Sequence, residues 1–166
     1  GLSTAEIQEG IRSFRPIKGR MNIVSIANGV TIIDDTYNAN PDSVKCAIHA
    51  FQSLRKENRG ILVLGDMFEL GGHAEEMHLE IGAVAAGSGV TNLYLTGNHA
   101  ETIAKGARTK MNMKQIFIGD KNELVLRLKE NLISGDWVLV KGSRAMKMES
   151  IIEGYKKTVI NNRECR

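Results

Sequence analysis

Cysteine is scarce in this sequence. Cys46 and Cys165 are the only two among 166 residues and make no disulfide framework. A reducing, cytoplasmic setting is therefore the expectation. No apolar run approaches the length of a membrane span, and no charged start with an apolar core resembles a signal peptide. The formal charge of +3 is too small and too dispersed to argue for nucleic acid. Its densest basic cluster, Lys156, Lys157, Arg163 and Arg166, reads as a solvated tail. There is no GxxxxGK(S/T) segment, and no GxGxxG follows a strand, so the usual phosphate cradles are missing. Histidine offers no zinc pair: His73 and His78 are five apart and lie on different helix faces. No histidine is placed to activate Cys46, which reads as a small buried thiol.

What is present reads as one α/β domain. Apolar content of 42% and charged content of 25% suit a globular chain. Its 166 residues allow one full core with room for a fragment of a neighbour. The chain begins at Gly1 rather than Met, and the expectation is a piece of something longer. Ser3 and Glu6 have capping-box spacing, opening a helix that should turn Ile7 and Ile11 inward and end near Arg12. Phe14 to Arg20, with Pro16 and Gly19, reads as a linker. Met21–Ala27 and Val30–Asp34 read as strands joined by Asn28-Gly29, a strong hairpin signal. Past Pro41, Asp42 or Ser43 can cap a helix whose inner face is Val44, Ala47, Ile48, Phe51 and Leu54.

Strands at Ile61–Leu64, Asn92–Leu95, Gln115–Ile118 and Trp137–Val140 then alternate with helices. The helices fall near His73–Ala86, Ala100–Ala107, Asn122–Leu132 and Met146–Lys156. Such alternation implies parallel strands with right-handed crossovers. The predicted architecture is a three-layer, Rossmann-like α/β domain. Its six-stranded sheet is mostly parallel, with one antiparallel strand from the N-terminal hairpin and helices on both faces.

In open α/β sheets ligands sit beyond the carboxyl ends of the strands. Three of the stretches found there are unusual: "DDTYNANPDS", "GDMFELGGH" and "KGSRAMKME". Each has a plain reading as a turn with a cap and a reading as a ligand site. In the first, Pro41 and Asp42 would start a helix and the amides close turns, but Asp34, Asp35 and Tyr37 come before turn residues are needed. An Asp at that point can accept hydrogen bonds from a ribose. With Asp42 at its N-terminus, the following helix is not expected to cradle a phosphate itself. In the second stretch Gly65, Gly71 and Gly72 permit close approach, and Asp66 and Glu69 could hold an amine or a metal. In the third, Ser143 can cap a helix while Lys141 and Arg144 suit a carboxylate or phosphate.

Together these stretches resemble the C-terminal domain of the Mur ligases, ATP-dependent amide-forming enzymes of peptidoglycan precursor synthesis. The matching residues are Gly19-Arg20, "DDTYNANPDS", "VLGDMFELG" with His78, Ile81 and Gly82 behind it, and "LVKGSRAMKME". The resemblance spans nearly the whole chain and is closest to members that add D-alanyl-D-alanine to UDP-N-acetylmuramoyl-tripeptide. It implies that residues 1–20 end a central ATPase domain and its hinge, and that residues 21–166 form the C-terminal domain. The preceding N-terminal and central domains would be missing, and with them most of the grip on ATP and Mg²⁺.

Carried over residue by residue, Arg20, Asp35, Tyr37, Asn38 and Asn40 would meet the nucleotide. Asp66, Met67, Glu69, Lys141, Ser143 and Arg144 would face the incoming dipeptide. No catalytic residue is assigned within the chain, which alone should be inactive. On the residues themselves, a stand-alone module that binds a nucleotide or peptide as a regulator stays open, since one fold hosts many functions.

Overall fold

The computed structural model describes residues 1–13 and 17–164, the side chains of 161–164 excepted. Phe14, Arg15, Pro16, Cys165, Arg166 and the side chain of Arg163 lie outside the described residues. The elements are α1 (Thr4–Ser13), β1 (Asn22–Ser25), β2 (Thr31–Asp35), α2 (Pro41–Arg55), β3 (Gly60–Leu64) and α3 (Ala74–Gly87). There follow β4 (Asn92–Leu95), α4 (Ala100–Ala107), β5 (Ile116–Ile118), α5 (Lys121–Asn131), β6 (Trp137–Lys141) and α6 (Glu149–Glu164).

The six strands form one sheet in the order β1-β2-β6-β3-β4-β5. β1 and β2 pair antiparallel, and every other neighbouring pair is parallel. Alternate side chains along each strand leave by opposite faces, and the sequence is apolar on both. Ile33, Leu62, Leu93 and Leu139 pack beneath α2, α3 and α4. Ile32, Ile61, Tyr94 and Val138 pack against α5 and α6. This is the three-layer arrangement expected of strands that read as near-continuous apolar runs.

Several local expectations change. The hairpin turn has Gly29 N–H on the Ile26 carbonyl at 2.9 Å and Ile26 N–H on the Val30 carbonyl at 2.8 Å. Gly29 takes φ +86 and Asn28 does not cross into positive φ. The connection is therefore a turn followed by a glycine bulge rather than a two-residue primed turn. β1 is accordingly shorter than expected while β2 keeps five residues and shifts on by one, and Asn28 donates to the Tyr155 hydroxyl on α6 at 2.8 Å. α2 is capped by Asn40, not by Asp42 or Ser43: the Asn40 side chain accepts from Ser43 N–H at 2.8 Å, and Ser43 Oγ accepts from Asn40 N–H at 3.1 Å.

Leu54, expected on the inner face, is 40% exposed because it falls in the last turn of α2, past the edge of the sheet. α1 has its expected capping box, with Ser3 N–H on Glu6 Oε2 at 2.7 Å. Yet none of its residues is buried, and Ile7 and Ile11 point into solvent. α6 begins at Glu149 rather than Met146, because Arg144–Met146 form a 3-10 turn and Lys147 is left-handed.

α3 and α4 cross at two glycines. A Cβ at Gly82 would collide with the Ile103 carbonyl oxygen, and one at Gly106 with that of Leu79. Only glycine lets the two backbones come this close. Gly82→Ala should therefore destabilise the domain by about 2–3 kcal/mol, even though alanine is the better helix former by about 1 kcal/mol. Urea denaturation followed by circular dichroism measures the loss, and an unchanged midpoint would rule out this helix contact.

Candidate functional site

β6 runs between β2 and β3, which places Asp35, Lys141 and Leu64 on a single rung at the carboxyl edge of the sheet. The three unusual stretches thus leave the sheet side by side. They stay close because glycine removes the obstruction: a Cβ on Gly142 would lie 3.2 Å from Gly65 Cα.

An ion pair joins the first and third of these exits, those of β2 and β6. Lys141 Nζ donates to Asp35 Oδ2 at 2.6 Å and to the Asn38 carbonyl at 2.9 Å. The side chains are 3% and 12% exposed, so neither charge is solvated without the other. Asp35 Oδ1 accepts from Met21 N–H at 3.1 Å, and Tyr37 N–H donates to the Gly19 carbonyl at 2.9 Å. These bonds lay the Gly19-Arg20 segment against the end of β2. Asp34 turns inward and accepts from the Thr36 hydroxyl at 2.6 Å.

Ser143 joins the second and third exits. Its backbone N–H donates to the Asp66 carbonyl at 2.9 Å, and its hydroxyl accepts from Phe68 N–H at 2.8 Å and donates to the Ala39 carbonyl at 3.3 Å. It makes no side-chain cap, contrary to expectation, because these partners occupy the hydroxyl.

The mouth enclosed by these loops is centred on Tyr37, which is 42% exposed. The Arg20 guanidinium lies 4.1 Å from the ring centroid and that of Arg144 6.0 Å from it. The quadrupole of the ring attracts both cations. On one side a recess of about 460 Å³ is lined by Arg20, Asp35, Tyr37, Asn38, Asn40 and Lys141, with Cys46 on its wall. On the other, about 640 Å³ opens between Tyr37–Asn40, Phe68–Leu70 and Ser143–Ala145. Two guanidinium groups beside one aromatic ring suit phosphate or carboxylate oxygens.

The eleven residues singled out by sequence divide into two groups. Arg20, Tyr37, Asn38, Asn40, Glu69 and Arg144 border the mouth, as do the mutually paired Asp35 and Lys141 and the bonded Ser143. Asp66 and Met67 do not face it. Met67 is 2% exposed within the core beneath α2 and α3. Asp66 is 1% exposed and accepts from Asn98 N–H at 2.7 Å and His99 N–H at 3.0 Å, bracing the loop before α4. Cys46, expected buried, is exposed, because α2 turns that side away from the sheet.

His78, noted in sequence as no zinc ligand and as one of the residues behind the family resemblance but given no role, is fully buried under the GDM loop. Its Nε2 accepts from Met67 N–H at 2.9 Å, and its Nδ1 lies 2.6 Å from the Ala74 carbonyl. A carbonyl only accepts, so the proton resides on Nδ1. Its ring stacks on His99 with centroids 4.2 Å apart. The signal in the sequence was the fixed place of His78 behind "VLGDMFELG", not its metal chemistry.

Residues 19–144 match the family described as Mur ligase, glutamate ligase domain. The chain belongs to that family. Among its relatives, the UDP-N-acetylmuramoyl-tripeptide–D-alanyl-D-alanine ligase of Bacillus subtilis is 34% identical over 154 residues, covering 92% of this chain and 34% of that protein. The ligase of the same name from Escherichia coli is 28% identical over 162 residues, covering 95% and 34%. The crystal structure of MurF ligase from Thermotoga maritima in complex with ADP superposes with a TM-score of 0.76 at 30% identity, over 90% of this chain and 33% of that one. A MurF structure from Acinetobacter baumannii gives 0.80 at 26% identity, over 94% and 34%. The chain thus spans about a third of the length of the relatives it matches.

Burial pushes the His78 imidazole below its usual pKa of 6.5, and His99 adds to this, while the Ala74 carbonyl and Asp66 oppose it. The folded protein then binds this proton more weakly than the unfolded chain. The stabilisation is present above about pH 6.5 and is lost as the pH falls below it. Urea titrations at pH 7.5 and 5.5 should show a smaller pH dependence for His78→Gln than for the wild type. An equal dependence in the two proteins would contradict this assignment.

Proposed function

We propose that this chain is the C-terminal domain of an ATP-dependent ligase of the cytoplasm that joins D-alanyl-D-alanine to UDP-N-acetylmuramoyl-tripeptide. The observation that carries this reading is the convergence of Arg20, Tyr37, Glu69 and Arg144 on one mouth at the carboxyl edge of the sheet. The names of its relatives supply the reaction. Residues 1–20 belong, in this reading, to the end of a central domain and its hinge, and residues 21–166 to the C-terminal domain. The exposed Leu2, Ile7 and Ile11 of the first segment support that division, since an amphipathic helix needs an apolar partner.

The tripeptide's terminal carboxylate takes the γ-phosphoryl group of ATP, releasing ADP. The dipeptide amine then attacks the acyl carbon, loses a proton and expels phosphate. This domain binds and orients. Arg20, with Tyr37, Asn38 and Asn40, borders the nucleotide side, while Asp35 and Lys141 keep that rim in place. Arg144 takes the dipeptide carboxylate and Glu69 faces its amine. Asp66, Met67 and Ser143 act as supports behind the loop. Among the described residues no three His, Cys, Asp or Glu side chains converge on a metal position. Mg²⁺ is assigned to the preceding domains, and no step here runs through it. Closure by those domains would exclude water from the acyl phosphate.

The isolated chain should make no ADP from ATP, even with tripeptide, dipeptide and Mg²⁺ supplied. In the full-length protein, Arg144→Ala should lower kcat/KM for the dipeptide by about 10- to 100-fold, the range of a lost charge-assisted hydrogen bond. Its melting temperature should be unchanged. Asp35→Ala is a poor probe of contact, because it strands Lys141 and should cost about 3–5 kcal/mol of stability. Normal steady-state kinetics in both Arg144→Ala and Tyr37→Ala would refute the site.

A further inference from the structure

Glu149 closes the "KGSRAMKME" stretch and is the first residue of α6. Before it, Lys147 takes left-handed backbone with φ 50 and ψ 49. Beyond this bend Glu149 Oε1 sits 3.3 Å from Arg144 Nη1. Both side chains line a recess with Lys18, Gly19, Thr36 and Tyr37, on the Arg144 side of the Tyr37 ring.

A glutamate at a helix N-terminus is ordinary, since the helix dipole favours it, and exposed ion pairs contribute little. Two observations set this pair apart. The Glu149 side chain is 24% exposed and Arg144 64% exposed, so the carboxylate is the fixed partner and the guanidinium the outward one. Glu149 Oε2 is buried with no hydrogen-bond partner among the described residues, a desolvation cost that a solvated glutamate would avoid. The Arg144 main chain is fixed as well, its N–H donating to Asn38 Oδ1 at 3.3 Å. The other cation of the recess, Lys18, is directed to Glu153 at 3.8 Å.

We propose that Glu149 is a positioning residue for Arg144. Its carboxylate takes one guanidinium N–H and holds the group beside the Tyr37 ring, leaving the remaining donors free for a substrate carboxylate. An arginine has five such donors, and a fork held by one edge can still grip an anion with another. Without Glu149 the long, exposed side chain would lose its rotamer freedom only on binding, and affinity would fall accordingly. This inference rests on the reading of Arg144 as the group that meets the dipeptide carboxylate.

The test is a double-mutant cycle in the full-length protein, measuring phosphate release against D-alanyl-D-alanine concentration. Glu149→Ala should raise KM for the dipeptide about tenfold with kcat little changed, the effect of one charge-assisted contact. KM for ATP should not move. Glu149→Gln, which keeps an acceptor in place, should recover most of the loss. In an Arg144→Ala background, Glu149→Ala should add less than about a twofold effect, because a residue acting through another is silent once that other is gone.

Wild-type kinetics in Glu149→Ala would overturn the proposal, as would the same loss in both backgrounds, which marks a role in holding α6. Should Glu149→Ala fail to fold, the same cycle with Glu149→Asp decides, since it keeps the charge at the start of α6 but falls short of Arg144: a loss present only with Arg144 supports the proposal and any other result opposes it. An unimpaired Arg144→Ala would refute the reading of Arg144 as the carboxylate contact, on which this inference rests, whereas an impaired Arg144→Ala beside a normal Glu149→Ala refutes this inference alone.

Discussion

Lys141 and Asp35 occupy adjacent strands at the same height, and their buried ion pair organises everything above them. Through the Asn38 carbonyl, Lys141 also holds the loop that follows β2. Through Met21 N–H, Asp35 holds the segment that enters β1. A pair so removed from water gains little over an apolar substitute, because desolvation offsets the Coulomb attraction. Its value here is directional. Each charge accepts only the other's position, so the ends of β2 and β6 cannot slip past one another without leaving a charge buried alone.

From that rung the polar groups divide into those that face inward and those left facing out. Asp66 satisfies two backbone N–H groups before α4, Ser143 joins two loops, and His78 holds Met67 from below. With the backbone secured by buried bonds, Arg20, Tyr37, Glu69 and Arg144 are free to project into the mouth. The arrangement fits a site that only binds and orients: rigid support behind, long charged side chains in front. The chain is about a third as long as its relatives, and in the proposed reading its mouth is one side of a cleft that the preceding domains complete.

Local signals in the sequence were read well wherever local physics decides. The Ser3–Glu6 capping box and the bounds of α4 came out as written. Strands expected at Ile61, Asn92 and Trp137 start within one residue of those positions. Errors arose where the answer depends on what lies nearby. An amphipathic α1 says that an apolar partner is wanted, not that this chain contains it, so Ile7 and Ile11 face solvent. On α2, Val44, Ala47, Ile48 and Phe51 face inward as read, yet the sheet beneath sets where the buried stripe ends, and Cys46 and Leu54 fall outside it. Asp66 has the chemistry of a ligand contact, and only the position of the α4 loop shows that its oxygens are already taken.

Fold class, the three polar stretches and their family are properties of the chain order, because apolar periodicity and motif spacing are written along it. The order of the strands is not. That the last strand inserts between the second and third is a pairing between β2 and β6, more than a hundred residues apart, which no local signal along the chain specifies. Only that insertion puts Lys141 against Asp35 and Ser143 against both Ala39 and Phe68, turning three separate loops into one site.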